Sequence, residues 1–213
     1  MKVSRFVVNY FEENTFILWD EASRQAMAVD PGMMKDYERD AVTKFIDEHG
    51  LCLQMVLVTH MHIDHVMSAR WLASRYGCPV AASLDDEMLA RRMPEQVQFF
   101  RLRMPAQPLD IDCPLADGDV LSLGDEEIHV LATPGHSPGG LCFYLPQSGV
   151  VVAGDTLFAG GVGRVDLPGG DMDTEVASIK AKLFTLPDDT MVVSGHGDAT
   201  TIGREKQYNP YLR

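Results

Sequence analysis

The segment Thr59-His60-Met61-His62-Ile63-Asp64-His65 places three imidazoles and a carboxylate within seven residues. Side chains two positions apart on an extended backbone project to the same side, so His60 and His62 face one way. Asp64 and His65 fall on the turn that follows and can reach a second centre. Imidazole and carboxylate together form a donor set suited to Zn²⁺, Fe²⁺ or Mn²⁺. The chain has seven histidines, and five of them (His60, His62, His65, His136 and His196) lie in polar turns after strand-like segments. Glycines beside His136 and His196 let the backbone bend and a substrate come close. Asp155, in Ala153-Gly154-Asp155-Thr156, ends an apolar run. A lone carboxylate is expensive to bury there, and a metal pair removes the penalty because one carboxylate can bridge two cations. The two other histidines read differently. His49 sits in the last turn of a helical pattern, where positive charge suits the helix dipole, and His129 alternates with Ile128 and Val130 and faces solvent.

The elements that position these residues can be traced along the chain. Lys2 to Val8, Thr15 to Trp19 and Gln25 to Val29 read as strands, with a Pro31-Gly32 turn after the third. Asp36 to His49 has helical spacing, with Gly50 as a stop. Leu53 to Thr59 is a continuous apolar run, as in a strand buried on both faces. It delivers His60 to its end, before a helical pattern from Asp64 to Tyr76. Pro79 to Ala82 is a short strand, and Ser83 is placed to cap a helix running to Met93, with Asp86 in a capping-box-like pair. Pro94 to Cys113 reads as irregular and is the expected mobile loop. The Met-rich stretch Met88 to Met104 is expected to cover the site or pair two chains, and to move when no ligand is bound. Val120–Leu123, Glu127–Ala132, Leu141–Leu145, Val150–Ala153 and Met191–Ser194 complete the strands, and Asp173 opens a helix with Val176, Ile179, Leu183 and Leu186 as its apolar stripe. Strands in both halves, each with helices, imply an α/β architecture: an αββα sandwich of two mixed β-sheets with helices outside.

Composition narrows the function classes. The 213 residues fit one domain spanning 1–213, and 46% of them are hydrophobic, enough for a sizeable core. Eighteen basic against 31 acidic residues give a net charge of -13, which argues against a nucleic-acid surface. Apolar runs are too short to span a bilayer, so no membrane partner is expected. Glu12 and Glu13 interrupt the stretch where a secretory leader would be apolar. The four cysteines (Cys52, Cys78, Cys113 and Cys142) form no Cys-x-x-Cys pair and read as reduced thiols in a cytoplasmic protein.

His-x-His-x-Asp-His, then Gly135-His136, Gly154-Asp155 and Gly195-His196, resembles the metallo-β-lactamase superfamily over essentially the whole chain. Gly154-Asp155-Thr156-Leu157-Phe158 followed by Gly163-Arg164 looks like the glyoxalase II (hydroxyacylglutathione hydrolase) branch. The segment from Gly161 to Asp171 and the tail Asn209-Pro210-Tyr211-Leu212 look like its short, single-domain YcbL-type members. The resemblance implies the metallo-β-lactamase fold and two divalent metal ions, zinc foremost, with iron or manganese as alternatives. One ion would take His60, His62 and His136, the other Asp64, His65 and His196, with Asp155 bridging. It implies hydrolysis of an anionic thioester such as S-lactoylglutathione by an activated bridging water, with Asp64 also orienting that water and Arg164 meeting a substrate carboxylate. About 17 residues follow His196, where full-length glyoxalase II proteins carry a helical extension that holds glutathione. Asp166 stands where glutathione-binding members often have Tyr, so Arg164 either meets substrate or pairs with Asp166.

Two other readings share the residues. Persulfide dioxygenases resemble the same segments and use one Fe²⁺, which here would be held by His60, His136 and Asp155. A non-catalytic protein of the same fold is the other, although such members usually lose ligands and all seven positions are filled here.

Overall fold

The computed structural model describes residues 1–213. Strands β1 (Lys2–Val8), β2 (Glu13–Trp19), β3 (Gln25–Val29), β4 (Cys52–Leu57), β5 (Val80–Ala82) and β6 (Cys113–Pro114) form one sheet in that order. Its first three strands are antiparallel and the remainder run parallel from β3 onward. The second sheet uses β7 (Val120–Leu123), β8 (Glu126–Ala132), β9 (Leu141–Leu145) and β10 (Val150–Gly154). A two-stranded ribbon, β11 (Leu157–Phe158) and β12 (Gly161–Val162), leaves it before β13 (Met191–Ser194) and β14 (Thr200–Thr201) return. In this sheet β10 and β13 pair in parallel and the other neighbours antiparallel, so both sheets are mixed. The helices are α1 (Asp36–Glu48), α2 (Ile63–Val66), α3 (Ala69–Tyr76), α4 (Glu87–Arg91), α5 (Met93–Phe99), α6 (Met172–Lys182) and α7 (Ile202–Tyr208). None is long and apolar enough to cross a membrane.

The period of two along the strands creates the layers. Phe16 and Leu18 of β2 point inward with Met27, Val29 and Leu57 and meet Ile128, Val130, Phe143 and Val152 of the second sheet. The alternate residues Ile17 and Trp19 turn the other way and pack with Val42, Ile46, Leu72 and Ala73 of α1 and α3. On the far side Val151, Ala153 and Val192 meet Ile179, Leu183 and Ile202. The result is helix, sheet, sheet, helix. Strand β10 is apolar throughout because both of its faces are covered, and truncating a fully buried Phe16 or Phe143 to Ala costs about 3–5 kcal/mol.

Three expectations need correction. The segment read as irregular from Pro94 begins within α5: Pro94 sits in the first turn, where a missing N–H costs nothing. Ser83 caps only a 3-10 turn through Asp85, and Asp86 turns inward instead of completing a capping box. The helix read from Asp64 to Tyr76 is two helices, broken where the Ser68 N–H reaches Pro31 and its hydroxyl donates to Met33 O. Ribbon β11–β12 and helix α7 have no counterpart in the sequence reading.

Candidate metal centre

Strand ends bring the seven sequence-predicted residues together. Just past β4 come Thr59 and His60, past β10 Asp155, past β13 His196, and past β8 the Thr133-Pro134-Gly135-His136 turn. The two sheets are clamped here by backbone hydrogen bonds, Leu141 N to Thr59 O at 2.8 Å and Asn14 N to Gly195 O at 2.7 Å. Gly195 is required by crowding, since a side chain there would collide with the Asp155 carboxylate and the His65 ring.

The donor atoms of His60, His62 and His136 lie within 4.8 Å of one another, and so do those of Asp64, His65 and His196. Asp155 touches both groups: Oδ1 is 3.4 Å from His65 Nε2, and Oδ2 is 3.6 Å from His136 Nε2 and 3.6 Å from His196 Nε2. Asp64 Oδ2 is 3.3 Å from His196 Nε2. The outward partners of the rings assign their tautomers. His136 Nδ1 donates to Arg164 O at 2.6 Å and His196 Nδ1 to Phe11 O at 2.9 Å. His65 Nδ1 donates to Asp30 Oδ2 at 3.0 Å. The Thr59 hydroxyl donates to Asp30 Oδ2 at 2.6 Å, so it accepts from His60 Nδ1 at 3.0 Å. Four rings thus aim an Nε2 lone pair inward, as metal-ligating histidines do.

These residues fit a metal pair. The Nε2 lone pairs of His60 and His136 face each other at 3.1 Å, with His62 Nδ1 2.8 Å from the latter. Lone pairs at that separation repel, whereas a cation among them makes the contact attractive; nitrogen ligands about 2.0–2.1 Å from zinc lie at similar separations. Asp155 Oδ1 and His65 Nε2 are buried without hydrogen-bond partners. For the protein groups alone, burial pushes the His60 and His62 imidazoliums down, His62 to about 3, leaving both as neutral donors. Burial opposes ionisation of Asp155, but His65, His136 and His196 more than offset it and hold the carboxyl well below the usual carboxylate range. Burial likewise opposes charge on His65, and Asp155 and Asp64 outweigh it, so its pKa lies well above the ordinary imidazole value.

Four acidic residues that sequence reasoning missed support this centre. Asp30 accepts from Thr59 N at 2.7 Å as well as from the Thr59 hydroxyl and His65. Asp86 accepts from Met61 N at 2.9 Å, Ser137 Oγ at 2.9 Å and Gly139 N at 2.6 Å, tying together the loops that carry His62 and His136. Glu175 accepts from His136 N at 2.7 Å, and burial pushes its carboxyl up to about 8. Glu13 is fully buried, with Oε1 4.0 Å from His65 Nδ1, and burial raises its pKa well above the usual value. Asp30 had one available signal, since like Asp155 it ends a buried strand. Arg164 is exposed and lines the mouth of the cleft, where Nε and Nη2 each donate to Asp166 at 2.7 Å. His49 and His129 lie away from the centre, His49 bonding Phe45 O and the half-exposed His129 pairing with Glu127.

Known proteins show the same arrangement of chain. The sequence model of the metallo-beta-lactamase superfamily matches residues 11–196. A hydroxyacylglutathione hydrolase, GloC, from Haemophilus influenzae is 37% identical over 219 residues, covering 100% of this chain and 98% of that protein. The BLEG-1 B3 metallo-beta-lactamase superposes with a TM-score of 0.89 at 30% identity, covering 99% of each chain. TTHA1623 in a di-iron-bound form superposes with a TM-score of 0.87 at 34% identity, covering 99% of this chain and 100% of that one.

Proposed function

Because this chain belongs to the metallo-beta-lactamase superfamily, we propose that it is a binuclear metal-dependent thioester hydrolase of the hydroxyacylglutathione hydrolase kind, acting on an anionic substrate such as S-lactoylglutathione. The observation that carries this reading is the position of Asp155. Its carboxylate lies against both donor groups, so that two complete trios share one residue. A single-iron dioxygenase built on His60, His136 and Asp155 would take one metal per chain, whereas the trio of Asp64, His65 and His196 offers a place for a second. Similarity to GloC along the full length supports the thioester as substrate. Four free thiols support a cytoplasmic setting.

Two divalent cations, zinc foremost, would supply a lowered water pKa and polarisation of the substrate carbonyl. His60, His62 and His136 would hold one, Asp64, His65 and His196 the other, and Asp155 both. The chain's own groups do the rest. Thr59, Asp30, Phe11 and the Arg164 carbonyl keep the rings in the tautomer that presents Nε2 inward. Asp64, 14% exposed, is held ionised by His65 and His196 against the effect of burial, and is placed to orient a water beside His196. The departing thiolate is stable enough to leave with little help from a general acid. Arg164, at the mouth, is placed for a substrate carboxylate.

Zinc-loaded protein is tested on S-lactoylglutathione and a panel of other thioesters, with thiol release and metal content measured together. Two metals per chain with thioester cleavage is the expected result. Metal-replete protein that releases no thiol from any thioester refutes the reading, and one iron with sulfide-dependent oxygen uptake would assign the dioxygenase instead.

A further inference from the structure

Beside the metal cleft lies a second cavity of about 230 Å³. Its wall is overwhelmingly apolar and comes from Met88, Leu89, Phe99, Phe100, Leu167 and Pro168. It adjoins the cleft, because His62, Phe100 and Leu167 line both. The wall is also fixed relative to the reacting centre. Gln96 of α5 accepts from Ile63 N at 2.9 Å and donates to Met61 O at 2.9 Å, gripping the loop on either side of His62, and donates to Leu89 O at 3.1 Å. Phe100 packs edge-on against Phe11 with centroids 5.4 Å apart, closing the cleft from the β1–β2 side.

Resting on the thioesterase reading, we propose that this cavity is an acyl pocket, and that the preferred substrates are thioesters of an extended apolar acyl group, a medium alkyl or aryl chain, in preference to a short hydroxyacyl group such as lactoyl. An apolar cavity of about 150 Å³ already accommodates a benzene ring, so this one takes more than a lactoyl methyl can fill. The acyl side of the substrate is assigned here because the charged alternative lies elsewhere: Arg164 lines the metal cleft and not this cavity, so a polar thiol carrier is accommodated at that end. Phe99 is 70% exposed and Met88 39% exposed, large apolar surfaces at the cavity rim that a bound chain would cover. The exposed Arg92 and Glu95 at the same rim keep the entrance wet while the interior stays apolar.

The test is a series of N-acetylcysteamine thioesters from acetyl to octanoyl, assayed for kcat/KM by thiol release with the zinc-loaded protein. Calorimetric binding of non-cleavable S-alkyl thioethers of the same thiol runs in parallel. Each buried methylene is expected to raise kcat/KM and affinity about two- to fourfold until the cavity is filled. A Met88→Ser, Phe99→Ser double variant, altered only at partly exposed rim positions, is expected to lose at least tenfold more on octanoyl than on acetyl substrate. A flat or falling series overturns the acyl pocket while leaving the hydrolase reading intact, as does a rising series unchanged in the variant. Absence of cleavage of these thioesters and of S-lactoylglutathione, together with thioether affinity that rises with chain length and falls in the variant, refutes the hydrolase reading and upholds the apolar subsite. Absence of both refutes the two together.

Discussion

Replacing Asp30 by Asn changes one oxygen to an amide and should reverse the tautomers of two rings. Asp30 Oδ1 receives the Thr59 N–H at 2.7 Å, so the Asn oxygen stays there and its amide group faces the Thr59 hydroxyl and His65 Nδ1. An amide N–H cannot accept from either. His65 then carries its proton on Nε2, and the Thr59 hydroxyl, now accepting from the amide, donates to His60 Nδ1 and moves that ring's proton to Nε2 as well. Both protons would stand where the two trios converge. Loss of an outer hydrogen-bond partner typically costs 10–100-fold in metal affinity, about 1.4–2.7 kcal/mol at a factor of ten per 1.36 kcal/mol. With both trios affected, each zinc should weaken by about that factor. Thr59→Val removes the acceptor for His60 and one donor to Asp30 but keeps the Asp30 oxygen that receives His65, so it should weaken the His60–His62–His136 trio more than the other. The assay is competition for zinc with a chromophoric chelator, fitted to two sites, with circular dichroism to check the fold. If Asp30→Asn binds both zincs with unchanged affinity, the tautomer argument is wrong.

Other consequences can be measured separately. Asp86→Asn leaves at least one buried N–H donor facing an amide, at about 1–3 kcal/mol for each group left unsatisfied, and should lower the urea midpoint at unchanged m-value. Arg164 pulls the Asp166 carboxyl down to about 2, so the pair persists at any pH used for assay; Asp166→Asn should release Arg164 and lower the KM for S-lactoylglutathione while leaving kcat alone. Burial pushes the Cys142 thiol up to about 12 and the residue is fully enclosed, so iodoacetamide at pH 8 should label the exposed Cys52 and leave Cys142 untouched until the protein is unfolded, as read by mass spectrometry. Stripping metal with a chelator should lower the Tm by about 8–16 °C, since ligand at a thousandfold excess over its Kd stabilises by about 4 kcal/mol and each kcal/mol is worth about 2–4 °C at this chain length; readdition of zinc should restore it.

The centre was legible in the sequence wherever residue type and strand end coincide. His60, Asp155 and His196 each follow a continuous apolar run, and the His-x-His-x-Asp-His spacing is local enough to read by eye. The supporting carboxylates were not legible, because each acts on residues far along the chain. Asp86 is 51 residues from Ser137 and 53 from Gly139, and Glu175 is 39 from His136. No periodicity within a segment encodes such pairings. Reading Pro94 to Cys113 as irregular misses α5 for a different reason: proline in a first turn is tolerated, so Pro94 marks no end of the helix. The unforeseen α7 is short, and Thr201, which accepts from the Arg204 N–H, marks its start only once β14 is known to end there.

The buried charges bear on what the enzyme can attract. Two divalent cations would bring four positive charges to a pocket in a chain of net charge -13. Counting only Asp64, Asp155 and one deprotonated water leaves a surplus of one, enough to draw in an anion. Arg164 is already matched by Asp166 through two hydrogen bonds of 2.7 Å. With the mouth cation paired, only that small surplus is left to recognise an anionic substrate. Binding energy must then come from surface removed from water, and the surface on offer is the wall built by Phe99, Phe100, Met88 and Leu167. A substrate recognised mainly through an apolar acyl group should show kcat/KM that changes little between low and moderate ionic strength, whereas one steered by charge should lose rate steeply as salt is added.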